Sequence, residues 1–228
     1  AQDIKSFYLQ AEAGGTAPDY EPGQHLPIAV TLGGKEIRRT YTLSSAAGRD
    51  MLRITVKRDP KGAVSQHLHT NVAVGDTLEA CRPGGGFTLQ AGTEKPAVLI
   101  SAGVGITPMV AMAETLLAKS GPKPDIYFFH GSHTPADTPF KADLRRWRLD
   151  HSEFKLSLLF SKSTAADIVG VPTAELGRIS PAWLKDQKLP LDGDFYLCGP
   201  GGFMQAVYDW LADAGVMDAQ IHFEAFGP

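Results

Sequence analysis

Three short stretches combine residue types that could do chemistry. RRTYTLSS, residues 38–45, has the alternation of a strand but sets two arginines beside a tyrosine and a row of hydroxyls. A guanidinium suits a bidentate phosphate contact, and an aromatic face with small donors suits a flat polar ring. GVGITP, residues 103–108, follows directly on the apolar run AVLIS. Its glycines let the backbone approach a ligand, and the helix start behind them offers free N–H groups to a pyrophosphate. YLCGPGGFM, residues 196–204, closes another apolar run with a cysteine at its tip and three glycines and a proline behind. Each loop alone is compatible with a tight turn, and a free cysteine is ordinarily a small buried residue. Two such loops at the carboxyl ends of parallel strands form one cleft, which a nicotinamide dinucleotide would fill.

The glycine loop also breaks a rule. Pro108 stands where the G-x-G-x-x-G fingerprint has its third glycine. The next strand ends at FFHG, with no Asp or Glu for a ribose hydroxyl. A standard Rossmann dehydrogenase is disfavoured.

The elements that must position these stretches change period midway. In the first half IKSFYLQA, HLPIAVTL, EIRRTYTL, MLRITVKR, DTLEACRP and GFTLQA are short runs rich in β-branched and aromatic residues. Glycine and proline turns separate them, which predicts a β-sandwich or barrel. GAVSQHLHTNV, residues 62–72, is the exception and predicts a short helix. From Ala97 on, apolar strands alternate with helices: AVLIS, a helix beginning at Pro108, DIYFFHG, FKADLRRWRLDH, FKLSLLFS, a longer loop, SPAWLKDQ, DFYLCGP, FMQAVYDWLADAG and AQIHFEAF. That alternation predicts a doubly wound parallel sheet with ligands beyond its carboxyl edge. The expected fold class is therefore a β-barrel plus α/β, with residues 1–93 as the antiparallel barrel and 94–228 as the doubly wound domain.

Composition narrows the function classes. The 228 residues are 43% hydrophobic and 21% charged, enough for two small cores. No apolar run approaches the ~20 residues of a bilayer helix, so no membrane is expected. A net charge of −3 provides no basic field for nucleic acid. Cys81 and Cys198 lie far apart in unlike contexts, which predicts two reduced thiols in a cytoplasmic protein. No Cys or His cluster has metal-ligand spacing, so no metal site is expected.

In order along nearly the whole chain, YEPGQHLPIAV, RTYTLSS, VKRDPKGAVSQHLH, GVGITPM, CGPGGFM and HFEAFGP resemble segments of the ferredoxin–NADP reductase superfamily. Within it, they are similar to the reductase module of flavohemoglobins. The resemblance implies a six-stranded flavin-binding barrel, here opening inside a strand at Ile4, later than the family's barrel begins. It implies that Arg39 pairs with the flavin phosphate, that Tyr41 stacks on the isoalloxazine ring and that Thr42 bonds near its N5. Leu43, Ser44 and Ser45 continue that row. Val56, Lys57 and Arg58 follow the ring edge, and Gly62, Ala63, Val64 and Ser65 face the pyrophosphate. Arg38 reads instead as a solvent-facing strand charge.

For the second domain the resemblance implies that Gly103, Gly105, Thr107 and Pro108 border the dinucleotide pyrophosphate. Cys198, Gly199 and Pro200 would lie at the nicotinamide, with Glu224 and Phe226 flanking the flavin. Catalytic roles thus fall to Tyr41, Thr42, Cys198 and Glu224. His67 and His69 read as structural, and Trp147, Trp183 and Trp210 as packing. The implied cofactors are FAD, with FMN as the alternative, and NADH or NADPH. Ser161 and Lys162 resemble the Ser-Arg pair of NADP-specific relatives, although Lys lacks the Arg fork, while the whole-chain resemblance favours NADH.

Hydride passing from nicotinamide to flavin and leaving as single electrons implies a one-electron acceptor, a [2Fe–2S] or haem centre. Neither a globin-like segment nor a cysteine-rich one is present in the chain, so a reductase portion of a larger protein is expected. Two other classes compete: a flavin-binding electron-transfer subunit without nicotinamide oxidation, and a free flavin reductase. Intact GVGITP and CGPGG favour nicotinamide oxidation over the electron-transfer subunit, whereas weak flavin retention would favour the free flavin reductase.

Overall fold

A computed structural model describes residues 3–12, 15–92 and 94–225. In the first half the strands are β1 (Ile4–Leu9), β2 (His25–Leu32), β3 (Lys35–Thr42) and β4 (Leu52–Lys57), followed by helix α1 (Ala63–Thr70) and the two-residue β5 (Glu79–Ala80). β2 and β3 form an antiparallel hairpin in register from His25↔Thr42 to Leu32↔Lys35. It turns at Gly33 and Gly34, both at positive φ, the backbone that two-residue hairpins require and glycine adopts freely. β1 pairs antiparallel with β4, β5 pairs with β2, and a bridge from Leu43 to Ile54 ties the two sheets together. Alternate residues Leu26, Ile28 and Val30 point inward to meet Leu43, Ile54, Val56 and, from α1, Val64 and Leu68. Period 2 on β2 thus supplies the core, and α1 caps it.

Two expected strands differ. DTLEACRP contracts to β5, and GFTLQA forms no strand. After the bridge at Gly84, Leu89 N–H donates to Pro22 O at 3.0 Å, and Phe87 leaves the barrel. Its ring joins the core of the second half, edge-on to Tyr196 with centroids 6.2 Å apart. The apolar residues of that run are spent on the seam between halves.

The second half contains β6 (Ala97–Ala102), α2 (Ile106–Ala118), β7 (Ile126–Ser132), α3 (Lys141–Asp150), β8 (Phe154–Phe160), β9 (Ala174–Leu176), α4 (Pro181–Asp186), β10 (Asp194–Gly199), α5 (Gly201–Asp213) and β11 (Ile221–Ala225). Its six strands run parallel in the order β11-β10-β6-β7-β8-β9. Both faces are covered: Leu99, Phe128 and Leu156 pack under α2 and α3, while Val98, Phe129 and Leu197 pack under α4 and α5. That double burial explains the continuous apolar runs. Trp147 lies in the first cluster, and Trp183 and Trp210 pack against the second.

β9 was not expected; its Ala-Glu-Leu has no strand pattern and adds only an edge. α2 begins at Ile106 rather than Pro108, after a 3-10 turn over Gly103–Gly105. Pro108 still sits in the first turn, where its missing N–H costs nothing. The strand order reverses between β6 and β10, so the loops after these two strands border the crevice of an open α/β sheet.

Candidate active site

A cavity of about 530 Å³ opens between the halves. On the barrel side it is lined by Thr40, Tyr41 and Thr42 of β3, by His25 of β2 and by Thr55 and Lys57 of β4. Val104 and Thr107, at the glycine loop and the start of α2, and Glu224 and Ala225, at the end of β11, form the other side. The hairpin register explains part of this, since His25 stands opposite Thr42.

Five expected site residues meet here: Tyr41, Thr42, Lys57, Thr107 and Glu224. Burial pushes the Tyr41 phenol up to about 12, against the pull of the Arg39 charge, so it stays a neutral aromatic donor. Burial also raises the Glu224 carboxyl above its ordinary value, which His25 counters; His25 Nδ1 lies 3.7 Å from Glu224 Oε1. Thr42 Oγ1 and Glu224 Oε2 are both buried without a hydrogen-bond partner. Buried polar atoms are ordinarily satisfied. Two unmet oxygens on opposite walls of one cavity fit a ligand with a polar ring edge, and the flat phenol beside them fits a planar ring.

Arg39 lies on the Tyr41 side of β3 but does not line the cavity. It is exposed, and its guanidinium donates to the Arg38 carbonyl at 2.8 Å. Arg38 itself pairs with Glu36 at 2.6 Å, as a solvent-facing strand charge would. Leu43 and Val56 are core residues. The Ser44 hydroxyl is committed to Arg53 O at 3.1 Å and Thr55 Oγ1 at 2.8 Å, and Ser45 is held by Tyr20. These serines brace strands instead of extending the donor row, because β3 ends at Thr42 and the chain turns inward to pair with β4. Arg58 pairs with Asp3 at 3.0 Å, away from the cavity.

At α1, Gly62 is the residue before the helix and Ala63, Val64 and Ser65 form its first turn. The Ser65 hydroxyl is occupied, accepting from Asp59 N–H at 3.1 Å and donating to Gly62 O at 3.0 Å. A Cβ at Gly62 would come within 2.6 Å of that hydroxyl. What α1 offers an anion is therefore its free backbone N–H groups. His69 is structural, its Nε2 2.9 Å from Val56 O.

The second pair of loops is packed closely. A Cβ at Gly105 would lie 2.3 Å from the Cys198 carbonyl oxygen, so only glycine lets the start of α2 approach the tip of β10. Cys198 is fully buried there, and burial, helped by the Glu224 charge, pushes its thiol up. It is a neutral packing group, not a thiolate. It stands in register with Glu224 on one side and Ser101 on the other, and Ser101 in turn with His130. Gly199 ends β10 and Pro200 precedes α5. Gly103, at positive φ, and Pro108 shape the loop without lining the cavity.

Ser161 and Lys162 follow β8. Ser161 Oγ lies 3.1 Å from His133 Nδ1, and Lys162 N–H donates to His133 O at 2.9 Å. Phe226 lies outside the described residues.

Sequence reasoning missed His25, Thr40, Thr55, Val104 and Ala225. His25 was readable as the residue that a two-glycine hairpin places opposite Thr42; the others carry no chemical signal of their own.

A small antiparallel barrel and a doubly wound sheet, with a ring-sized cavity between Tyr41 and the glycine loop, define a flavin- and nicotinamide-binding oxidoreductase. Residues 1–89 match the oxidoreductase FAD-binding domain family, and residues 99–209 match the oxidoreductase NAD-binding domain family. The flavohemoprotein of Chromobacterium violaceum is 40% identical over 100% of this chain and 58% of its own length. The crystal structure of the flavohem-like FAD/NAD-binding domain of nitric oxide dioxygenase from Vibrio cholerae is 37% identical, with a TM-score of 0.87 over 99% of this chain and 93% of that one. Phthalate dioxygenase reductase, described as a modular structure for electron transfer from pyridine nucleotides to [2Fe–2S], superposes with a TM-score of 0.80 at 29% identity, covering 100% of this chain and 64% of that one.

The chain belongs to the family of flavohemoglobin-type FAD/NAD-binding reductase modules. It spans 58% of the length of the Chromobacterium flavohemoprotein.

Proposed function

We propose that the chain takes hydride from NADH or NADPH onto FAD and passes single electrons to a haem or [2Fe–2S] centre in an adjoining domain or protein. The observation that carries this reading is the cavity whose two walls each present an unmet buried oxygen, Thr42 Oγ1 and Glu224 Oε2. Bound there, the flavin supplies the chemistry of accepting a hydride and releasing electrons one at a time.

The chain's own residues supply placement. Tyr41 gives the ring a flat face, Thr42 a hydrogen bond to its edge, and Arg39 with the N–H groups of α1 the charge complement for its phosphates. Glu224, with its carboxyl raised by burial, holds a proton more readily than an exposed carboxylate would. Thr107 and Val104 form the wall against which the nicotinamide is positioned, with Cys198 as neutral packing behind. Holding two reactants in one geometry removes most of the entropy cost of their encounter. Residues 1–93 act as the flavin domain and 94–228 as the nicotinamide domain, in the cytoplasm.

A haem acceptor is the nearer proposal, because the flavohemoprotein match extends over the whole chain. The test is stoichiometry with an artificial one-electron acceptor. Under anaerobic conditions each NADH should reduce two ferricyanide ions through the protein-bound flavin, and chromatography of the released flavin should give FAD. No ferricyanide reduction, or reduction that needs added free flavin, would sink the reading. Comparing kcat/KM for NADH and NADPH in the Lys162→Ala variant then tests the local proposal: NADH preferred, NADPH use falling when Lys162 is removed.

A further inference from the structure

Helix α2 carries the cavity residue Thr107 in its first turn and, two turns on, presents Glu114 to the barrel. There the backbone N–H of Ala46 donates to Glu114 Oε2 at 2.7 Å, Arg49 pairs with Oε1, and Arg53 Nη2 lies 3.8 Å from Oε2. The Glu114 side chain is 13% exposed and that of Arg53 9%, so this carboxylate is nearly desolvated yet met by three donors.

The barrel side of the contact is held by its own hydrogen bonds. Tyr20, buried, bonds the carbonyls of Ser45 and Ala46 at 2.8 and 2.9 Å. Arg53 donates through Nε to Ser44 O at 3.0 Å. Its guanidinium also lies 4.9 Å from the centroid of Phe140, which holds a left-handed φ just before α3. Arg53 therefore touches the second domain at two elements.

None of Tyr20, Ala46, Arg49, Arg53, Glu114 or Phe140 lines the cavity. The gripped segment nevertheless starts directly after the cavity residues Tyr41 and Thr42, and the gripping helix carries Thr107 in its first turn. Seven residues of helix, about 10 Å at 1.5 Å each, separate that grip from the far wall.

We propose that Glu114 is a positioning residue: by bolting α2 to the segment after β3, it sets the separation of the two cavity walls and so the rate of hydride transfer. It touches neither cofactor. This rests on the hydride-transfer reading above.

Three readouts separate positioning from a merely structural role. In Glu114→Ala the rate of flavin bleaching by NADH, and with it kcat, should fall about tenfold to a hundredfold, the cost of a small misplacement of reacting groups. KM for NADH and the affinity for flavin should stay within about twofold, because their contacts lie elsewhere. In the flavin-free protein the Ala46 amide should exchange with solvent at least about tenfold faster, as expected for a lost protecting bond. Glu114→Gln, which keeps an oxygen for Ala46 N–H but no charge for the arginines, should fall between wild type and Glu114→Ala and guards against a failure to fold. If wild type bleaches and both variants match it, the positioning role is wrong. Equal losses in kcat, KM and flavin affinity overturn it too, by making Glu114 a general brace. If wild type itself does not bleach, the hydride-transfer reading fails, while the Ala46 exchange result still tests the bolt.

Discussion

Glu114 and Glu224 are both carboxylates of the α/β half that reach across to the barrel, and their surroundings are opposite. Glu114 is met by a backbone N–H and two arginines. Glu224 has one 3.7 Å contact, to His25, and an oxygen with no partner. The same contrast recurs among the hydroxyls of the barrel: Ser44 is bonded twice, whereas Thr42, two residues earlier and equally buried, is not bonded at all. A saturated buried group holds the protein to itself, and an unsaturated one costs stability unless a ligand completes it. Of these four groups, the saturated pair, Glu114 and Ser44, lies off the cavity and the unsaturated pair, Glu224 and Thr42, lines it.

The largest expected effect sharpens the carboxylate pair. Glu114→Ala leaves Arg53 buried beside a lost countercharge and should cost about 3 kcal/mol of unfolding free energy, the low end for a broken buried pair. Glu224→Ala should change stability by no more than about 1 kcal/mol, because its contact is partly exposed. Urea unfolding of the flavin-free variants measures both, and equal losses would erase the contrast. Next, Arg39→Ala should weaken flavin binding by about 1.5–3 kcal/mol, the worth of a charge-assisted bond, with stability unchanged. Unaltered flavin affinity would remove Arg39 from the phosphate.

The row in register Glu224, Cys198, Ser101, His130 extends the comparison to pH. Burial lowers His130 to about 3 from 6.5, so protonation favours the unfolded chain. The stability tied to neutral His130 is present above pH 6.5 and lost as pH falls toward 3. One unit below 6.5 this amounts to about 1.4 kcal/mol. Glu224 has the opposite sign: its carboxyl is raised from 4.5, so its contribution is present below pH 4.5 and lost as pH rises through the higher folded value. Thermal unfolding across pH 4–8 should show the loss on lowering pH below 6.5 reduced in His130→Gln and the loss on raising pH above 4.5 reduced in Glu224→Gln. A pH profile unchanged by both variants would refute the assignment.

Much of this was readable in the sequence. The apolar runs around Leu99, Phe128 and Leu197 announced a sheet buried on both faces, and RTYT together with GVGITP marked two walls of one cavity. What could not be read was long-range commitment. Whether a hydroxyl in TLSS faces a ligand or a neighbouring strand depends on where β3 ends, which Arg53 and Thr55 decide. Phe87 looked like a strand residue because nothing local says that its pocket lies against Tyr196 in the other half. His25 acquired its place from Gly33-Gly34 turn register and from Glu224, nearly two hundred residues away, roughly the full span of both domains.

The smallest effects test the hydroxyl pair. Thr42→Val should leave stability level or slightly higher and weaken flavin binding by about 1 kcal/mol, while Ser44→Ala should cost about 1 kcal/mol of stability and spare the flavin. Exchanged phenotypes would invert the reading of the cavity wall.

The most direct test of the account is anaerobic rapid mixing of the purified flavin-loaded protein with NADH, unlabelled and carrying deuterium at the transferred C4 position. Direct transfer across the cavity predicts that the visible flavin band bleaches without any added carrier, and more slowly with the deuterated nucleotide. A flavin band that stays fully oxidised with both NADH and NADPH would contradict it.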